Sequence, residues 1–105
     1  MSIRSCTMFE SPTLAEAESE ADSVNNSQTL FDEPVTSTAS AIAATVLGTH
    51  YLLVEGPEDN IDSAVAEMPD DWRTPWAESR EGEDAGASTW LPRSPVASYL
   101  LGLME

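Results

Sequence analysis

The sequence contains no lysine, and its four arginines are opposed by nineteen aspartates and glutamates, which gives a formal net charge of −15. Because nucleic acid phosphates and anionic membrane surfaces are themselves negative, this imbalance argues against binding to either and favours basic protein partners. We therefore expect the partner to present a basic protein surface. We expect no direct nucleic acid contact and no membrane association.

Cysteine and histidine are almost absent from the chain. Cys6 is the single cysteine and His50 the single histidine. One thiol cannot form an intrachain disulfide, and two isolated soft ligands cannot complete a tetrahedral metal site. The acidic run that begins at Glu58 lacks the glycine and the bidentate glutamate of a calcium-binding loop. We predict no metal, no cofactor and a reducing, cytoplasmic location.

Long apolar runs and catalytic motifs are missing as well. The longest uncharged stretch, residues 34–54, is interrupted by serine, threonine and histidine, whereas a membrane-spanning helix needs about 20 predominantly apolar residues. The first residues do not form the apolar core of a signal peptide. A lone histidine is more often packed than catalytic, and no nucleophile elbow or phosphate-binding glycine loop is present. The sequence therefore favours a protein that is not an enzyme.

The amino-terminal third has the composition of a disordered segment. Residues 1–38 are rich in serine, threonine and acids and hold few large apolar side chains. Such a segment buries too little apolar surface to offset the entropy lost on ordering. We expect a largely disordered acidic arm here, with a weak helix that starts at Ser11–Thr13 and extends to about Asp22.

Residues 39–105 carry the patterns of a small α+β unit with short helices and little strand. Apolar spacing predicts helices over 39–47, over 57–68 and from Ser94 onwards, and the run Tyr51–Val54 predicts a buried strand. Proline and glycine among the acids of residues 70–89 predict a loop, which we expect to be mobile over residues 74–89. The predicted fold is this unit, preceded by the acidic arm.

An acidic region with tryptophans is the best candidate for a binding site. Between Glu55 and Asp84 the sequence holds eleven acids and two arginines, which would steer a basic partner. Tryptophans beside acids are typical of interface anchors, although in a small chain they also cover the core. The candidate partner-binding residues are two tryptophans and five acids, namely Trp72, Trp76, Asp70, Asp71, Glu58, Asp59 and Asp62.

Several short segments between residues 38 and 96 carry a family resemblance. They include Tyr51–Glu55, the run Met68-Pro-Asp-Asp-Trp-Arg73, the pair Glu78-Ser79, the pair Trp90-Leu91 and the pair Ser94-Pro95. These segments resemble RES domains, the NAD-consuming toxins of bacterial and archaeal toxin–antitoxin pairs.

The departures from that family concern its chemistry. The family's catalytic glutamate would fall at Val46, and its glycine-rich region with arginine and tyrosine has no counterpart in residues 1–38. The resemblance therefore implies a degenerate or truncated relative without the NAD chemistry, and it assigns no catalytic residue.

Three functional hypotheses follow. The first is a non-enzymatic acidic protein-interaction module that binds a basic surface of a protein partner, including as an inhibitor that occupies a nucleic-acid-binding site. The second is a RES-type toxin relative. The third is an orphan chain with no selected fold. The sequence leaves the oligomeric state open.

Overall fold

The computed structural model describes residues 3–27, 39–81 and 90–104. The elements in these ranges are β1 (Ile3–Ser11), α1 (Leu14–Ser27), β2 (Ser40–Val46), β3 (Thr49–Pro57), α2 (Glu58–Glu67), β4 (Arg73–Glu81) and α3 (Pro95–Met104). These four strands form one sheet in the order β2-β3-β1-β4, in which every neighbouring pair is antiparallel. The first six elements follow the β-α-β-β-α-β order of the ferredoxin-like, split βαβ arrangement, and a third helix is added after them.

Both faces of the sheet are packed, because alternate side chains of each strand point to opposite sides. On one face, hereafter the helix-pair face, α1 and α2 cover Phe9 and Leu52. On the opposite face, hereafter the α3 face, α3 covers Met8 and Leu53. Burial on both faces explains why β3 carries a continuous apolar run rather than an alternating one.

The predicted disordered acidic arm is wrong. Residues 3–11 form β1, which lies between β3 and β4, and residues 14–27 form α1. The prediction relied on the scarcity of large apolar side chains. Small and medium ones do the packing instead, since Cys6, Ala17 and Ala21 are all buried. Alanines let a helix approach a sheet closely, so burial offsets the ordering entropy. Residues 28–38 lie outside the described part of the chain.

The helix start predicted after Ser11 is confirmed. Thr13 Oγ1 accepts a hydrogen bond from the backbone N–H of Glu16 at 3.2 Å, which is the usual contact of an N-cap residue. The helix continues to Ser27 rather than ending near Asp22. Its buried side packs on the sheet, and this tertiary contact supplies the stability that its sequence lacks.

The helix predicted over residues 39–47 is wrong, because residues 40–46 form β2. The same apolar run satisfies the alternation of a strand packed on both faces. Ala41 and Ala43 pack against the helix-pair core, whereas Ile42 packs against the α3 core. Periodicity alone does not distinguish the two readings of a short apolar run.

The remaining elements of the predicted unit are confirmed with one exception. The strand predicted at Tyr51–Val54 lies within β3, and the helices predicted over residues 57–68 and from Ser94 are α2 and α3. The loop predicted across residues 70–89 is wrong over residues 73–81, which form β4. This strand is at the sheet edge, where proline and charged side chains are tolerated. Residues 82–89 lie outside the described part.

Candidate functional site

The five acids of the predicted site lie on α2 and on the turn that joins it to β4. Asp59 and Asp62 are exposed on the side of α2 that faces away from the sheet, and Glu58 is half-buried in its first turn. Asp70 and Asp71 are exposed in the turn. The buried stripe of α2 turns these carboxylates outward. The structure therefore brings all five together on one segment.

Helix α1 adds four acids that the sequence analysis placed in a disordered arm. Glu16, Glu18 and Asp22 are exposed, and Glu20 is half-buried. Since α1 and α2 contribute to one core on the same face of the sheet, their outer sides form one surface, hereafter the acidic helix layer. The two helices hold eight acids and no arginine. The helix start at Thr13 was the signal that could have placed the α1 acids in an ordered element.

All four arginines lie outside the acidic helix layer. Arg4 is in β1, Arg73 and Arg80 are in β4, and Arg93 precedes α3. The last turns of α1 and α2 also contain no basic residue. The negative potential of the layer is therefore not compensated by basic side chains within it, which favours contact with basic surfaces.

The two predicted tryptophan anchors do not join this layer. Trp72 is 9% exposed and packs in the core beneath the helix pair, in the same cluster as Ile61 and Met68. Trp72 is therefore a core residue in the folded chain. Trp76 is half-buried on the α3 face, where it meets Trp90 edge to face with 6.4 Å between ring centroids. Neither ring is available to a partner that binds the acidic helix layer.

A buried ion pair, which the sequence did not indicate, lies on the α3 face. Arg4 Nε donates to Glu55 Oε1 at 2.9 Å, and Arg4 Nη2 donates to Glu55 Oε2 at 3.0 Å. The indole N–H of Trp90 donates to the same Oε1 at 3.3 Å. Glu55 is only 3% exposed, so its assignment to the steering acids is corrected. Its carboxylate joins β1, β3 and the segment before α3.

The thiol of Cys6 lies next to this ion pair. Across the sheet Cys6 pairs with Glu55 of β3 on one side and with Glu78 of β4 on the other. Burial, and then the charges of these two carboxylates, raises the pKa of the Cys6 thiol well above its usual range. A fully buried thiol that stays protonated is a poor nucleophile. This part of the sheet is therefore suited to a structural role.

Arg80 of β4 contacts Trp90, which lies in the segment before α3. Its guanidinium lies 4.8 Å from the ring centroid of Trp90, and it donates to Glu78 Oε2 at 3.3 Å. Cation–π contact and hydrogen bonding to Glu55 together hold the Trp90 ring in place.

In residues 3–27, 39–81 and 90–104, no three ligand side chains are grouped as a metal site. His50 Nδ1 instead lies 2.7 Å from Thr45 Oγ1. No helix in these ranges is long and apolar enough to cross a membrane.

No known protein-family model matches this chain, and no curated protein is detectably similar to it in sequence. The resemblance to RES domains therefore stays a hypothesis. The segments that carry this resemblance lie where they support the fold. Tyr51–Glu55 is part of β3, Trp72 is in the core, and Trp90 donates to the buried carboxylate of Glu55.

Proposed function

We propose that this chain is a non-enzymatic acidic protein-interaction module whose acidic helix layer binds a basic surface of a protein partner. The observation that carries the proposal is the segregation of charge. Eight acids and no arginine lie on the two helices that cover one face of the sheet. Such a surface steers basic partners and repels acidic ones.

The spacing of the acids on α1 works against the stability of that helix, which supports a role in recognition. Glu16 and Glu20 are four residues apart, as are Glu18 and Asp22. Like charges at this spacing each destabilise a helix by about 0.2–0.5 kcal/mol. Tertiary packing stabilises the helices in spite of this repulsion.

One version of the proposal has the chain occupy a nucleic-acid-binding site and thereby inhibit its partner. Its support is the sign of the charge, because the carboxylates of the acidic helix layer, like phosphates, present negative charge to a basic groove.

A non-enzymatic role is also consistent with the state of the buried ionisable groups. The Glu55 carboxylate accepts hydrogen bonds from Arg4 and Trp90, and the Cys6 thiol is fully buried. A general base or a nucleophile needs access to a substrate, and these two groups lack it.

The test compares two double variants that remove the same charge from different faces. Asp59→Asn with Asp62→Asn neutralises part of the acidic helix layer, and Glu10→Gln with Glu78→Gln neutralises two acids that lie outside it, on β1 and β4. Each protein is titrated against purified basic DNA-binding domains in low and physiological salt. We expect the first variant to bind several-fold more weakly, because each exposed ion pair contributes about 0.2–1 kcal/mol.

Two further results are expected of the wild-type chain. Binding weakens as salt rises, because exposed charges are screened beyond about 8 Å at physiological ionic strength. Duplex DNA competes with the chain for the same domain. Equal affinity of the two double variants would remove the acidic helix layer from the proposal, and failure to bind any basic domain would overturn it.

A further inference from the structure

The two edges of the sheet differ in their protection against pairing with another strand. At one edge, β4 contains Pro75, which has no N–H to donate, and the charged side chains of Arg73 and Arg80. Prolines and charges of this kind are the usual protection of an edge strand. At the other edge, β2 runs from Ser40 to Val46 with neither charge nor proline.

Asn25 of α1 already occupies one position along the β2 edge. Its side-chain Nδ2 donates to the carbonyl oxygen of Ala41 at 3.0 Å, and the backbone N–H of Ala41 donates to its Oδ1 at 2.9 Å. An amide side chain that makes both bonds takes the place of a peptide group in a neighbouring strand. It follows that the main-chain groups of Ala41 point away from β3.

Outward-pointing main-chain groups recur at every second residue of an antiparallel strand. Those of Ala43 and Thr45 therefore point in the same direction as those of Ala41. Within the described ranges, no residue supplies a hydrogen-bond partner on that side. As far as the described residues are concerned, two donors and two acceptors thus remain available between the Asn25 side chain and the end of the strand.

We propose that β2 pairs antiparallel with β2 of a second copy of this chain, across a two-fold axis at Ala44. In this register Ala43 of each copy lies opposite Thr45 of the other, and each such pair exchanges two main-chain hydrogen bonds. Shifting the axis to Ala43 would place Ala41 opposite Thr45, where the Asn25 side chain already makes both bonds. The available groups therefore select one register.

The turn after β2 supports this register. Leu47 is 98% exposed and has a φ of 51°, and it is followed by Gly48 with a φ of 83°. Turns of this geometry favour asparagine or glycine, so an exposed leucine here is unusual. In the proposed register Leu47 follows Thr45, the last residue that bonds to the second copy, so pairing brings this exposed apolar side chain to the end of the interface while Asn25 keeps both of its bonds to Ala41.

Of the two edges of the sheet, only β2 offers a second copy a strand without carboxylates. This matters because a net charge of −15 makes two copies repel each other, so a contact between them has to avoid carboxylates. The β2 strand has none, and α3, which packs against β2 on the α3 face, is built entirely from uncharged residues. Helix α1 also packs against β2 and brings its acids near the axis on the other face. Dimerisation is therefore expected to strengthen as salt rises, whereas binding through the acidic helix layer weakens.

The test measures molar mass by light scattering after size exclusion, in dilute buffer and in about 1 M NaCl, where the Debye length falls to about 3 Å. We expect the wild-type chain to have twice the mass of one chain in high salt. Thr45→Glu should restore the mass of a single chain. The matched control is Thr74→Glu, which places the same charge at an exposed threonine of the protected edge.

A second variant keeps the result decisive if Thr45→Glu fails to fold by circular dichroism. Ala43→Pro removes one outward N–H and leaves the bonds to β3 intact, and it too should give a single chain. A wild-type chain that remains a monomer in high salt would overturn the proposal. A folded Thr45→Glu or Ala43→Pro protein that dimerises as the wild type does would overturn it as well.

Discussion

Arg4 and Glu55 are 51 positions apart in sequence, yet their side chains form two parallel hydrogen bonds of 2.9 and 3.0 Å on the α3 face. Trp90 donates a third bond to the same carboxylate. Because Glu55 is buried, these contacts hold the amino-terminal strand, the central hairpin and the segment before α3 in one arrangement. The acidic helix layer lies on the opposite face of the same sheet.

The first prediction concerns that ion pair. Glu55→Gln removes the buried carboxylate charge that pairs with the Arg4 guanidinium, whose side chain is 13% exposed. We expect the free energy of unfolding to fall by about 3–5 kcal/mol, as it does when a buried pair loses one partner. Urea denaturation measures the change.

The double variant Arg4→Met with Glu55→Leu is the control for this effect. It removes both charges and should be more stable than Glu55→Gln, because no buried charge is left uncompensated. If Glu55→Gln is as stable as the wild type, the pair contributes nothing to the fold.

The second prediction concerns the amino-terminal segment. A chain that begins at residue 39 lacks β1 and α1, so β3 and β4 lose the strand that lies between them. We expect no cooperative thermal transition by circular dichroism. A chain that lacks only residues 1–2 is the control and should unfold cooperatively. If the chain that begins at residue 39 still unfolds cooperatively, the preceding segment is not needed for the fold, as the sequence analysis expected.

The third prediction compares the stability effects of Trp72 and Trp76, the two tryptophans that the sequence analysis assigned to the partner-binding site. Trp72→Ala should lower the free energy of unfolding by about 3–5 kcal/mol, because it opens a cavity beneath the helix pair. Trp76→Ala should cost less, since Trp76 is half-buried. Trp72→Phe, which keeps most of the apolar volume, is the matched control. Equal stability of the two alanine variants in urea would contradict the placement of Trp72.

The fourth prediction concerns pH. Burial raises the pKa of the Cys6 thiol, so the folded state keeps its proton at pH values where the unfolded state has lost it. The contribution of Cys6 to stability is present in full below about pH 8.5, the ordinary pKa of a cysteine, and declines as the pH rises above it. The stability difference between the wild type and Cys6→Ala should therefore shrink between pH 8 and pH 10. A constant difference would contradict the burial of the thiol.

The sequence analysis correctly predicted three elements whose ends or apolar face are set by residues close together in the chain. The acids and the apolar spacing of α2, the proline at the start of α3 and the apolar centre of β3 were sufficient for those three. Strand β1 was missed because half of its buried side chains are polar. Ser5 and Thr7 are buried, and Ser5 is bonded to Ser79 across the sheet at 2.9 Å. Such burial depends on strand pairing, which composition does not report.

Only part of the candidate site was predicted from the sequence, because the rest also depends on strand pairing. The α2 acids were identified, because the helix that carries them has clear periodicity. The α1 acids and the buried position of Glu55 depend on which elements share a face of the sheet. The bonds between Arg4 and Glu55 require a register between distant strands, and no local pattern indicates it.

The most direct measurement of the central claim is an NMR titration of the isotopically labelled chain with a basic DNA-binding domain that it binds. We expect shift changes confined to exposed residues of α1 and α2, including Glu18, Asp22, Asp59 and Asp62. We also expect rising salt to remove these changes while the other resonances remain those of the folded chain. Shift changes centred on α3, β2 or Trp76, with the acidic helix layer unaffected, would contradict it.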